Sequence, residues 1–172
     1  MLKDRTIMAV LAAKDINRAK DFYRDKLTMF LRHQAAARLI GGYDANNTYQ
    51  YIVNREDVQL TWVAKAIDEL AGTLPEVAEP SRDANGKAAD VANAIFAEDG
   101  RDAQAFVDRW RPRIDGMDNA RHAKMLRVII GETLEQKRFF DQALAGRTDL
   151  LGRRGAQVGP SHGVVLPSRW IE

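Results

Sequence analysis

Six side chains with acid or amide ends recur where a helical chain would face its own core: Gln34, Glu56, Gln59, Asp99, Glu132 and Gln136. Carboxylates in that setting have two uses. They can ligate iron or manganese, for which oxygen donors are suited. Alternatively they can pair with cations and amides of neighbouring helices and so fix packing register. Glu56 and Gln59 stand three residues apart and Glu132 and Gln136 four apart, so each pair shares one helical face. Burying such a group without a partner costs about 2–7 kcal/mol, so the pattern demands a reason. The expectation is that Glu56, Asp99 and Glu132 act as metal ligands, assisted by Gln34, Gln59 and Gln136. The expected ion is iron or manganese, and the alternative is no cofactor.

Four long helical segments must position these groups. The first is expected from an Asp15 N-cap to about Ile40, where Gly41-Gly42 stops it, with an inward line of Ile16, Ala19, Tyr23, Leu27, Phe30 and Gln34. The second runs from Asn46 or Asn47 to Leu70–Gly72 and turns Ile52, Glu56, Gln59, Val63, Ala66 and Leu70 inward. The third covers about 86–114, with Ile95, Asp99, Phe106 and Trp110 on its line, a break at Asp99-Gly100 and a disturbance at Pro112. The fourth extends from Asp118 to about Gly146 with His122, Met125, Ile129, Gln136 and Phe140 inward, Glu132 at the edge and Glu135 in solvent. Between the second and third lies "AGTLPEVAEPSRDANG", whose Pro75 and Pro80 prevent helix. In extended form those residues span a helix of about 25 residues, while the other two connections are short. Short, long, short predicts an all-α four-helix bundle with one crossover connection over residues 1–146, followed by an irregular tail at 147–172.

One polar group per helix, all near mid-length, resembles the ferritin-like superfamily, whose di-iron members supply a carboxylate from one helix and a Glu-x-x-His pair from the next, then repeat the pattern. The resemblance implies that Glu56 and Glu132 match the second- and fourth-helix Glu and Asp99 the third-helix carboxylate. Gln34 stands in place of the first-helix carboxylate, Gln59 in place of a His, and Glu135 follows Glu132 at i+3. Amides replace carboxylate and imidazole poorly, so the resemblance implies weak or single-ion binding. The opening "AVLAAKDINRAKDFYRDKL" also resembles the start of a glyoxalase-like domain, but "LTMFLRHQAAARLI" continues the helical period where that fold returns to a strand.

Charge and composition narrow the classes. With 26 Lys and Arg against 24 Asp and Glu the net charge is +2 and mixed along the chain, which argues against a nucleic-acid face. No Cys is present, so thiolate ligands and nucleophiles are excluded. No apolar run reaches membrane-spanning length, and a cytoplasmic protein is expected. Glycine-rich phosphate loops and Gly-x-Ser-x-Gly elbows are absent. His33, His122 and His162 read as surface or capping residues, and Trp62, Trp110 and Phe139-Phe140 as core or subunit contacts. Arg38, Arg55 and Arg138 are the cations available to pair with buried acids. The expected partner is a second copy in a homodimer, with a small-molecule ligand in the bundle as a further expectation. The function expected is a divergent carboxylate metalloprotein, or else a metal-free bundle for oligomerisation or partner binding.

Overall fold

The structure, a computed structural model, describes residues 2–82 and 85–152, with side chains from Ile16 onward. It is a four-helix bundle: α1 Leu2–Leu39, α2 Tyr43–Glu69, α3 Ala88–Asp115 and α4 Ala120–Leu144. No strand occurs among the described residues. The glyoxalase-like opening stretch lies wholly inside α1. Helix α1 begins at Leu2, well before the expected Asp15 cap, because nothing from Thr6 to Lys14 breaks a helix and the segment is rich in alanine. Helix α3 passes through Asp99-Gly100 unbroken. Gly100 is buried there against α4, where a Cβ would stand 3.8 Å from that of Phe140, an ordinary contact, and it does not break the helix. Pro112 lies inside α3, only a few residues before the helix ends at Asp115.

Core partners give the helix directions. The end of α1 (Ala36, Ile40), the start of α2 (Tyr49, Ile52), the start of α3 (Ile95, Phe96) and the end of α4 (Phe139, Phe140) form one apolar cluster. Phe22, Val63, Ile67, Phe106, Trp110 and Ile129 belong to a second cluster at the other end. Helices α2 and α3 therefore run parallel, and α1 and α4 antiparallel to them. The chain leaving α2 must return along the whole bundle before α3 can begin.

Local chemistry starts that return. Leu70 ends α2, Ala71 turns into the left-handed region at φ 56°, and the Gly72 N–H donates to Ile67 O at 2.9 Å, a Schellman-type closure. The segment then follows α1: Lys20 donates to Thr73 at 3.3 Å, and Arg38 pairs with Glu79 at 3.1 Å. Lys20 and Arg38 lie about 27 Å apart along the helix axis, so the crossover runs extended, as its length predicts. Beyond Glu79 it turns inward, and the Arg82 side chain is 3% exposed.

A polar layer separates the two apolar clusters. Lys26 and His33 from α1, Glu56 and Gln59 from α2, Asp99 from α3, and Thr133 and Gln136 from α4 are all buried. The tail residues 153–172, with His162 and Trp170, lie outside the described residues; Leu150, just before them, is buried in the upper cluster.

Candidate functional site

The layer is built of ion pairs around two carboxylates. Glu56 is completely buried and accepts from Lys26 Nζ at 2.8 Å through Oε1. Its Oε2 lies 2.8 Å from His33 Nδ1. Because the carboxyl is ionised, that ring nitrogen is the donor. Burial by itself pushes the Glu56 carboxyl up, but the His33 imidazole and the Lys26 ammonium overcome it and hold the group at about 2. Lys26 starts two turns below His33 and reaches upward, its ammonium passing 5.6 Å from the Phe106 ring centre. The stem lies in the lower cluster and the charge in the layer.

Asp99 is the second centre. It accepts from Tyr49 OH at 2.6 Å and from the Arg82 guanidinium that the crossover inserts, and His33 Nε2 stands 4.0 Å from the same Oδ2 that Tyr49 contacts. Burial and the adjacent Asp99 charge push the Tyr49 phenol well above its ordinary range, so it remains a neutral donor. Arg82 also donates to Glu98 at 3.2 Å, and Arg32 pairs with Glu98 and, at 3.0 Å, with Asp102. This rim joins the buried acid to solvent-exposed charge. Phe140 and Tyr49 close the layer from above, with ring centres 5.6 and 5.9 Å from that of His33.

Four of the six residues expected from sequence, Glu56, Gln59, Asp99 and Gln136, are buried in this layer. Glu132 sits at its edge, half-buried as expected, bound by the Gln59 amide and by Arg55, whose Nε is 3.2 Å away. Gln34 is half-buried and off the inward line of α1, which passes through Phe22, Lys26, Met29, His33, Ala36 and Ile40. That is one residue, or about 100°, from the expected line. His33, expected at the surface, is 1% exposed and links the two carboxylates. The signal that could have found it is charge balance: two buried acids on α2 and α3 require cations, and Lys26 and His33 share one face of α1.

The donor set does not fit a pair of iron or manganese ions. Glu56, Asp99 and Glu132 each hold a fixed protein cation, Lys26, Arg82 and Arg55 respectively. No net negative charge remains to compensate divalent metal. Among the described residues no group of three or more His, Asp or Glu has a metal-holding arrangement. Gln59 donates its amide N–H to Glu132, while Gln59 Oε1 and both amide atoms of Gln136 have no hydrogen-bond partner among the described protein atoms.

A second feature lies at the lower end of the bundle. A cavity of about 140 Å³ opens between all four helices and the α3–α4 turn, walled by Phe22, Val63, Ala66, Trp110, Ile114 and Met125. Its mouth carries Arg18, Arg113, His122 and Asp118. His122, expected inward, stands here half-buried with Nε2 3.8 Å from Glu69. Asn119 caps α4 by accepting from the His122 backbone N–H at 3.0 Å, which fixes the turn that forms one wall.

No protein-family model, curated protein or solved structure matches the chain.

Proposed function

We propose that this chain is a small-molecule-binding bundle, ferritin-like in arrangement, whose core acids are balanced by its own Lys and Arg in place of metal. The observation that carries the reading is the apolar cavity at the lower end. Its volume is close to the roughly 150 Å³ of an apolar cavity able to hold a benzene-sized ligand, and all four helices contribute to its walls. Concave, largely apolar sites with a few charged groups at the mouth are the usual form of small-ligand sites. The polar layer supports this role mechanically: it fixes helix register above the cavity and leaves the lower core apolar.

The test has two arms. Toluene added to the purified protein is expected to raise the unfolding temperature, and Ala66→Leu, which fills the cavity, to abolish the rise. Dialysis against a chelator is expected to leave the unfolding temperature unchanged. Near-stoichiometric iron or manganese that Glu56→Ala removes would overturn the reading in favour of a metalloprotein, and an absent toluene response would remove the cavity as its basis.

A further inference from the structure

The charges at the cavity mouth select among apolar ligands. Trp110 is 4% exposed and forms one wall; its indole N–H donates to Asp25 Oδ2 at 2.8 Å, so its polar end is satisfied away from the cavity. Two guanidinium groups stack on its ring, Arg109 at 5.2 Å and Arg113 at 5.1 Å from the centre. Their roles differ. Arg109 is paired with Asp25 at 2.9 Å. Arg113 has no ion pair among the described residues, and it alone of the two lines the cavity. The other charged groups at the mouth are Arg18, Asp118 and His122, with Glu69 standing 3.8 Å from His122 Nε2.

We infer that the cavity takes a small aromatic carboxylate, its ring against Phe22, Trp110 and Met125 and its carboxylate at Arg113; this rests on the binding reading above. The wall chemistry suits a ring: Phe22 and Trp110 meet edge to face at 5.0 Å, an arrangement that leaves ring faces and edges for a third aromatic group, and a methionine sulfur favours aromatic edges. The volume admits one six-membered ring, which places any charged substituent at the mouth. Stacking on Trp110 pre-orients the Arg113 fork, and a guanidinium binds a carboxylate in two parallel hydrogen bonds. A neutral amide of the same shape cannot use that charge.

Isothermal titration with phenylacetate and with its neutral isostere phenylacetamide, at low ionic strength, tests the assignment, with toluene as the control for the cavity itself. Phenylacetate is expected to bind at least about tenfold more tightly than phenylacetamide, as a charge-assisted contact at a partly desolvated site allows. Arg113→Gln, at an exposed position, is expected to equalise the two, with toluene binding to the variant as the check that the cavity persists. Equal binding of acid and amide to the unaltered protein, or a preference that survives Arg113→Gln, overturns the carboxylate assignment and leaves the cavity reading standing. Failure of all three compounds overturns both.

Discussion

Replacing Lys26 by Met removes the ammonium that faces Glu56 while keeping most of the stem packed in the lower cluster. The carboxyl lies at about 2 in the fold against an ordinary 4.5. That difference corresponds to about 3 kcal/mol of net stabilisation of the ionised group, after the cost of burying it. Both side chains of the pair are fully buried, and breaking such a pair from one side costs about 3–5 kcal/mol. Lys26→Met is therefore expected to lower the unfolding free energy by that amount at pH 7. The sign of the pH dependence follows. Because the folded value lies below the unfolded one, the Glu56 contribution is fully present above about pH 4.5 and is lost as pH falls toward 2. In Lys26→Met the folded value rises and that acid-side loss is reduced or reversed. The gap between parent and variant should narrow by roughly 2 kcal/mol between pH 7 and pH 3. Adding Glu56→Gln to the variant should recover most of the loss, since the uncompensated charge is then gone. Urea unfolding followed by circular dichroism measures all of these. A cost below about 1 kcal/mol at pH 7, or a gap that stays constant across that pH range, would refute the account of the layer as a balanced ion network.

Two further outcomes concern the crossover. Arg82→Met leaves buried Asp99 with the Tyr49 hydroxyl and, 4.0 Å away, His33 Nε2 in place of a directly bound guanidinium, and should cost about 3–5 kcal/mol; hydrogen exchange should show faster opening of the 73–82 segment than of the helices, and equal protection in parent and variant would count against the tether. Ala71 is held at φ 56° in the turn that ends α2, so Ala71→Gly is expected to stabilise the protein by about 1 kcal/mol, read as a higher urea midpoint; an unchanged or lower midpoint contradicts the strain argument.

Much of this architecture was legible in the residues because periodicity is local. The helix bound at the Gly41-Gly42 stop follows from backbone chemistry, the cap of α4 falls at Asn119, one residue after the expected Asp118, and the length of "AGTLPEVAEPSRDANG" sufficed to require a return along the bundle. On α2, α3 and α4 the acids and amides interrupt otherwise apolar stripes, so Glu56, Gln59, Asp99 and Gln136 could be placed inward one helix at a time. Helix α1 is different. Counting apolar residues selects the line through Tyr23, Leu27 and Phe30, because a line containing Lys26 and His33 looks like a solvated face. Only the acids of the neighbouring helices make that face the buried one, and they reach it from 23 or more positions away in the chain. Arg82 was invisible for the same reason: nothing in a proline-containing connection marks one arginine as core. Local sequence decided where the helices are and which polar groups three of them bury; the assembled bundle decided which cations answer them, since charge balance is a property of neighbours in space.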